Sequence, residues 1–283
     1  MGNVKQISRS VHMNLDRDYT FGSDPELFLV NAKTGRIVSA IDKIPGHKEE
    51  PFTEGLPEGF GLQTDNILAE FNIPPVRDEN SFIESIEFMK NLIRDKAREI
   101  DSNLDILCVA SAKATPKELR HPQAKEFGCD PDFCVYTNSK NEMSKAARTN
   151  LRSAGFHIHV GYPDNNIDTS LLMLRYIDAF VGLPSILYDT DTERRSLYGK
   201  AGCFRLQKYG FEYRTLSSFW IGNPTRLRFI WRQVMYALYA FEHGWNLPDG
   251  NSVRNAINNN DVTKAKELIA IYEIINPNNV KPE

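Results

Sequence analysis

Four stretches of this chain alternate polar and apolar residues with a period of two, and this alternation constrains the fold more than any other feature of the sequence. Successive side chains of a β-strand point to opposite faces, so each stretch would gather its polar residues on one side. In GFHIHVG, His157 and His159 would project to one face about 6.6 Å apart along the strand, with apolar residues behind them. The other polar pairs are Asp24 with Glu26 in FGSDPELFLV, Glu70 with Asn72 in NILAEFNIPP, and Glu212 with Arg214 in GFEYRTL. The sequence therefore predicts strands of a sheet that has one apolar and one polar face.

The strands are predicted to come in pairs. YTFGSDPELFLVNAKTGRIVSAI indicates two strands joined by a turn at Asn31–Gly35. Residues 61–75 predict one strand that ends at its two prolines, and residues 105–113 predict another. Residues 190–210 are basic and contain glycine, which predicts a loop before the strand that carries Glu212.

Helices are predicted between and after these strands. Residues 81–100 have apolar residues at helical spacing and begin with a Ser81–Glu84 capping box. Residues 168–189 predict one or two helices with a break near Gly182–Pro184. A long apolar helix follows over residues 224–245.

This order of elements predicts an α+β fold, in which a curved and mostly antiparallel sheet has helices on one side. We expect a single domain over residues 1–283, with a core at about 20–220 and C-terminal helices over 224–275. Asp261 would cap the last of these helices.

Composition excludes several functional classes. The 283 residues carry a net charge of −3 with both signs interspersed, so no nucleic-acid partner is expected. No stretch has the length of a membrane span, the N-terminus lacks the apolar segment of a secretion signal, and four cysteines do not form a disulfide framework. We therefore expect a cytoplasmic location. Cys129 and Cys134, with His121 upstream, lack the second close ligand pair of a zinc site.

The polar residues of the strands form a candidate metal site. Carboxylates repel one another when they share a face, unless cations lie among them. Mostly oxygen ligands with one or two imidazoles suit Mg²⁺ or Mn²⁺ better than zinc. Asp65 would lie on the opposite face of a regular strand, because it precedes Glu70 by five residues, and could join the group only from a loop or through a bulge. The alternative is the ordinary solvated face of a sheet. The candidate ligands are Asp24, Glu26, Asp65, Glu70, His157, His159 and Glu212.

Basic residues could supply the second half of an anionic-substrate site. Arginine binds phosphates and carboxylates through two parallel hydrogen bonds. The chain contains neither a Walker P-loop nor a GxGxxG motif, which excludes the common glycine-loop phosphate sites. The alternative is a basic surface loop. The candidates are Arg194, Arg195, Lys200, Arg205 and Arg214.

Taken in order, four motifs resemble a known family. GSDPELF, TDNILAEFNIPP, GFHIHVG and RRSLYGKAGCFR with YGFEYR are similar to the carboxylate–amine ligases of the glutamine synthetase and glutamate–cysteine ligase superfamily, and most of all to its phage-encoded COOH·NH2 ligase (amidoligase) branch. The resemblance covers about residues 20–220. It implies a sheet like that of the glutamine synthetase catalytic domain, and ATP-dependent formation of an amide or peptide bond through an acyl phosphate, with two or three Mg²⁺ (or Mn²⁺) ions.

The resemblance also implies a role for each candidate residue. Asp24 and Glu26 match paired acids that bind different metals, although Asp24 stands where better-known members usually carry the longer Glu. Asp65 and Glu70 match the acids that complete one metal site, and His157 matches a metal-binding histidine with Glu212 as its partner. His159 would contact substrate or phosphate instead. Arg205 and Arg214 would steady the γ-phosphate or a substrate carboxylate, and Arg195 and Lys200 would do likewise.

Two other functions use the same residues. A metal-dependent hydrolase would employ the acids and histidines to activate water. A binding or virion-associated protein would keep the fold without turnover. For a ligase, the expected substrates are a small-molecule or peptide carboxylate and an amine, in the cytoplasm of the host cell if the chain is phage-encoded, and a homo-oligomer is a further expectation.

Overall fold

The computed structural model describes residues 14–125, 132–141, 149–276, 278–279 and 281–282. Within these residues the chain forms thirteen strands and seven α-helices. The strands are Thr20–Ser23 (β1), Glu26–Asn31 (β2), Arg36–Val38 (β3), Gly61–Asp65 (β4), Leu68–Val76 (β5), Leu104–Leu107 (β6), Ser111–Lys113 (β7), Phe133–Cys134 (β8), Ser139–Lys140 (β9), Leu151–Ser153 (β10), Ile158–Gly161 (β11), Cys203–Gln207 (β12) and Gly210–Tyr213 (β13). The helices are Glu79–Ile100 (α1), Ile167–Ile177 (α2), Leu183–Ser185 (α3), Arg194–Leu197 (α4), Pro224–Glu242 (α5), Gly250–Asn258 (α6) and Val262–Ile271 (α7).

Eleven of the strands form one sheet, whose main path runs β3-β2-β5-β1-β11-β13-β12-β8-β9. Strand β4 pairs with β5, strand β6 pairs with β2, and β7 and β10 form a separate two-stranded sheet. All the pairings are antiparallel. The predicted α+β fold with a mostly antiparallel sheet is confirmed.

The apolar residues of the alternating stretches lie on one face of this sheet. Leu27, Phe71, Val160 and Phe211 are buried in the main core of the protein. Helix α1 packs on β5 and β6, α2 packs on β12 and β13, and α5 contacts α1 and α2. The opposite face carries the polar residues, apart from one end where a smaller core forms around Phe28. None of the helices within the described residues combines the length and the apolar character that crossing a membrane requires.

Residues 61–75 differ from the single strand that the sequence predicts. They form a hairpin, in which β4 turns through Asn66 and Ile67 into β5. Asn66 has a φ of 54°, a left-handed conformation that asparagine tolerates better than most residues. The second strand also continues through both prolines to Val76 and carries a register shift against β1 there.

Other element boundaries also differ. The N-cap of helix α1 lies three residues before the predicted one, because the side chain of Asp78, and not that of Ser81, caps the helix by accepting the backbone N–H of Ser81. Residues 105–113 divide into β6 and β7. The predicted break near Gly182–Pro184 is instead a π-helical stretch at Asp178–Gly182, which joins α2 to α3.

The prediction of a loop over residues 190–210 is also wrong, because this segment contains α4 and β12. Helix α6 was not predicted, whereas the Asp261 cap of α7 is confirmed by a hydrogen bond from Lys264 N. Cys129 lies outside the described residues.

Candidate active site

A row of four residues crosses the polar face of the sheet. Gly22 of β1 pairs with His159 of β11, His159 pairs with Glu212 of β13, and Glu212 pairs with Arg205 of β12. Residues in register on neighbouring antiparallel strands point to the same face, so their side chains are neighbours. The row therefore places an imidazole, a carboxylate and a guanidinium side by side, with a glycine at its end.

Asp24 completes the first candidate metal group, which we call group A and define as Asp24, His159 and Glu212. One ligand atom from each residue lies within 4.8 Å of the others. Asp24 follows β1 directly, and its Oδ1 lies 3.1 Å from His159 Nε2. Burial acts to raise the pKa of Asp24, but His157 and His159 together outweigh burial and hold this pKa well below its usual range. Asp24 is therefore a carboxylate in the folded protein.

Glu212 is held by two side chains of the same sheet. Gln207 Nε2 donates to its Oε1, and Arg214 Nη1 donates to its Oε2 at 2.9 Å. The residue is only 3% exposed. These bonds fix the carboxylate before any ligand arrives.

The second candidate metal group, group B, consists of Glu26, Asp65 and Glu70. Their ligand atoms also lie within 4.8 Å of one another. Glu26 pairs with Glu70 across β2 and β5. In the β4–β5 hairpin Asp65 pairs with Leu68. Leu68 is two residues from Glu70 and points to the same face, so Asp65 also lies on the face of Glu70. The prediction that Asp65 needs a loop or a bulge to join the group is therefore wrong, since the hairpin brings it there.

Hydrogen bonds and burial define the charge state of group B. Gly155 N donates to Glu26 Oε2 at 2.6 Å, and Gln63 Nε2 donates to Glu70 Oε2 at 2.9 Å. Burial, together with the charge of Glu26, raises the pKa of Asp65 to about 6. Burial and the neighbouring carboxylates also raise the pKa of Glu70 well above its usual range. Both shifts mean that burial and the neighbouring carboxylates disfavour full ionisation of group B when no cation lies among them.

The two histidines have different surroundings. His157 is 6% exposed, and its Nδ1 lies 2.9 Å from Asp24 Oδ1 and 3.3 Å from Arg214 Nη1. His159, not His157, belongs to group A. Burial acts to lower the pKa of His159, but the charge of Asp24 outweighs it and raises this pKa. The geometry thus places His159 within group A and His157 against Asp24 outside this group, whereas the resemblance implies His157 as the metal ligand.

Gly155 is the position that lets His157 and Glu26 approach. A Cβ atom at this residue would lie 2.7 Å from His157 Nε2 and 3.4 Å from Glu26 Oε2. Its N–H donates to Glu26, and its carbonyl accepts the N–H of the same residue. The first glycine of GFHIHVG is therefore part of the site.

The predicted basic residues separate into two sets. Arg214 is buried between two carboxylates, with its Nε 2.6 Å from Asp132 Oδ1 and its Nη1 2.9 Å from Glu212 Oε2. Arg205 Nη1 lies 3.5 Å from Glu212 Oε2, and the Arg205 side chain is 27% exposed. Arg205 is the more accessible of the two guanidinium groups, whereas Arg214 is bound within the protein.

The other basic residues lie in the segment before β12. Arg195 Nη1 donates to the Asp191 carbonyl and to Asn260 Oδ1 at 3.2 Å each, which ties α4 to the segment between α6 and α7. Arg194 Nη1 donates to the Thr215 carbonyl at 2.9 Å. Lys200 is half-buried, and its carbonyl accepts a hydrogen bond from Thr215 Oγ1. The contacts of Arg195 support a structural role rather than the predicted contact with phosphate.

The donor atoms fit a hard divalent cation. Group B offers only carboxylate oxygens, and group A offers two carboxylates and one imidazole. This chemistry suits Mg²⁺ or Mn²⁺, while a zinc site would draw on more histidine or cysteine.

Sequence reasoning missed Asp132, Gln207 and the role of Gly155. It also missed Tyr209, whose hydroxyl lies 3.1 Å from His159 Nδ1. Gln207 lies two residues from Arg205 on the same strand, so the period of two could have found it once β12 was recognised. Asp132 and Tyr209 lie outside the alternating stretches, and their positions follow from the pairing of β8, β12 and β13.

Part of the chain matches a known protein family. Residues 149–243 match the family model described as phage phiEco32-like COOH.NH2 ligase-type 2. The matched segment contains β10 to β13 and α5, and with them His159, Arg205, Glu212 and Arg214. The match confirms the resemblance to phage-type carboxylate–amine ligases. A search of curated proteins gave no match.

Proposed function

We propose that this protein is an ATP-dependent carboxylate–amine ligase that uses Mg²⁺ or Mn²⁺ and forms an amide or peptide bond. The observation that carries the proposal is the presence of groups A and B on one face of the sheet, with Arg205 beside them. The description of the matched family, a COOH.NH2 ligase, supports the reaction class. A sheet with helices on the opposite face agrees with the glutamine synthetase-like architecture that the resemblance implies.

The reaction requires an activated carboxylate, since a carboxylate and an amine do not condense directly in water. A carboxylate oxygen attacks the γ-phosphorus of ATP, and the bond from this phosphorus to the ADP oxygen breaks. The amine nitrogen then attacks the acyl carbon of the acyl phosphate, inorganic phosphate leaves, and the amine releases a proton. Divalent cations, when bound, neutralise the charge of the phosphates. Catalysis of this kind depends on positioning and electrostatics rather than on a protein nucleophile.

The residues of the chain supply that positioning. Groups A and B would each hold a cation, and the hydrogen bonds to Glu26 and Glu212 fix the direction of their carboxylates. Arg205, at the edge of the row and partly exposed, would contact the γ-phosphate or the substrate carboxylate. Arg214 would act through Glu212, because its guanidinium is already engaged by two carboxylates. The substrates would be a small-molecule or peptide carboxylate and an amine.

Nucleotide binding tests the proposal directly. We expect Mg²⁺ with ATP to raise the melting temperature of the wild type, since a ligand at a hundred times its Kd stabilises a protein by about 2.7 kcal/mol. Glu26→Gln should remove most of this increase, because it neutralises a ligand of group B. Glu84→Gln, which changes an exposed carboxylate on α1, is the matched control and should respond as the wild type does.

Turnover then separates the candidate reactions. When a panel of carboxylates and amines is screened with ATP, the enzyme should release ADP and phosphate only when a carboxylate and an amine are both present. If Mg²⁺ with ATP does not raise the melting temperature of the wild type, the ligase proposal is refuted. Hydrolysis of a substrate without ATP would favour the metal-dependent hydrolase instead.

A further inference from the structure

Tyr209 lies against His159 at the edge of group A. The two rings are stacked, with centroids 6.0 Å apart and planes inclined by 24°. The Tyr209 hydroxyl lies 3.1 Å from His159 Nδ1. The other ring nitrogen, Nε2, lies 3.1 Å from Asp24 Oδ1 within group A. The imidazole is therefore held between a phenol on one side and the candidate cation site on the other.

The backbone of the β12–β13 turn keeps Tyr209 in this place. Gly210 has a φ of 150°, and a Cβ atom there would lie 2.1 Å from the Val160 carbonyl oxygen. Only glycine permits so close an approach of the turn to β11. The Tyr209 carbonyl also accepts the N–H of Tyr162 at 3.1 Å. The turn is thus attached to β11, the strand that carries His159.

We propose that Tyr209 is a positioning residue, which accepts the Nδ1–H of His159 and so presents the lone pair of Nε2 to the cation of group A. This inference rests on the proposed function of group A as a cation site. A neutral imidazole has one N–H and one lone pair, so a partner that accepts at Nδ1 leaves Nε2 as the ligand atom. Histidines that bind metals ordinarily donate their second nitrogen in this way.

The exposure of Tyr209 fits this assignment. The residue is 42% exposed, so its hydroxyl hydrogen can turn to water while its oxygen accepts from His159. The stacked ring also limits rotation of the imidazole about its side-chain torsions. Tyr209 would therefore fix both the tautomer and the orientation of His159.

The binding of Mn²⁺ to the purified protein tests this role. Tyr209→Phe keeps the ring and removes the hydroxyl, and we expect it to weaken Mn²⁺ binding at one of two sites by about 10- to 100-fold. Tyr236→Phe is the matched control, because it removes a hydroxyl that bonds to the Glu273 carbonyl, away from both groups. Isothermal titration calorimetry with Mn²⁺ is performed for both variants, and again in a Glu70→Gln background, which removes a ligand of group B. A loss of affinity that persists in this background belongs to group A.

A second measurement reports the tautomer itself. In protein labelled with ¹⁵N-histidine and saturated with Mg²⁺, long-range ¹H–¹⁵N spectra should show His159 as the Nδ1–H form, with His159→Gln used to assign its signals. Compared at equal half-saturation with Mg²⁺, Tyr209→Phe should show less of this form than the wild type, an effect that a lower affinity alone would not produce.

The outcomes separate this inference from the proposed function. If the wild type binds no Mn²⁺, both fail. If the wild type binds Mn²⁺ and Tyr209→Phe binds it within twofold of the wild type, the role of Tyr209 is overturned while group A stands. An Nε2–H tautomer of His159 in the Mg²⁺-loaded wild type would also overturn it.

Discussion

Neutralising Asp65 should stabilise the protein when no divalent cation is present. This carboxylate lies in group B beside Glu26 and Glu70, and burial with the charge of Glu26 raises its pKa from 3.8 to about 6. Asn has almost the same shape as Asp but carries no charge. The Asp65→Asn variant should therefore lose the unfavourable burial and repulsion while it keeps the packing of the β4–β5 turn.

The size of the effect follows from the pKa shift and depends on pH. A raised pKa means that the ionised carboxylate is disfavoured in the folded state, so the penalty is absent below the unfolded pKa near 3.8 and complete above about 6. Raising the pKa from 3.8 to about 6 corresponds to about 3 kcal/mol at pH 8, and solvent screening at this half-buried residue reduces this penalty to about 1.5–2.5 kcal/mol. At pH 5 about half of the penalty remains. Since a kcal/mol shifts Tm by roughly 2 °C in a chain of this length, we expect an increase of about 3–5 °C at pH 8.

Urea unfolding of both proteins in EDTA, at pH 5 and pH 8, measures this difference. Asp95→Asn, which changes an exposed carboxylate of α1, is the control and should leave the free energy of unfolding unchanged at both pH values. In saturating Mg²⁺ the advantage of Asp65→Asn should disappear or reverse, because the cation offsets the repulsion in the wild type. A variant that is less stable than the wild type in EDTA at pH 8 would refute the electrostatic account of group B.

Three further variants test the site. Gly155→Ala would place a Cβ atom 2.7 Å from His157 Nε2, and we expect a loss of about 1–3 kcal/mol in unfolding free energy together with weaker Mn²⁺ binding by calorimetry. His159→Gln should weaken Mn²⁺ binding more than His157→Gln, and equal losses would contradict the assignment of group A. Arg214→Gln should destabilise the fold by about 3–5 kcal/mol in urea, because it removes the guanidinium that contacts the buried carboxylates of Asp132 and Glu212.

The apolar and polar faces of the sheet could be predicted from the sequence because the period of two is a local property. Glu26, Glu70, His159 and Glu212 lie on the polar face as their alternation indicated. The α+β class follows for the same reason, since helical and strand periods are each visible within a short window. These features need no knowledge of which strands become neighbours.

The composition of each candidate metal group could not be predicted in the same way, because it depends on strand pairing and on side-chain direction. His157 and His159 share a face, but only the register of β11 against β13 places His159 opposite Glu212. Arg214 belongs to the same alternation as Glu212, yet Asp132, which pairs with it, lies outside every periodic stretch. The sequence marks both arginines as candidates, and the contacts alone separate Arg205 from Arg214.

Asp65 shows how one local error changes a functional expectation. If residues 61–75 formed a single strand, Asp65 would lie on the face of the sheet opposite to Glu70, and it could join Glu70 only from a loop or through a bulge. The hairpin at Asn66 reverses the chain within two residues, so Asp65 and Glu70 reach the same face from neighbouring strands. The turn therefore creates group B, because it adds the third carboxylate to a pair that Glu26 and Glu70 already form across β2 and β5. A change that opens this turn, rather than one that alters a ligand, should then remove Asp65 from group B while Glu26 and Glu70 keep their pairing.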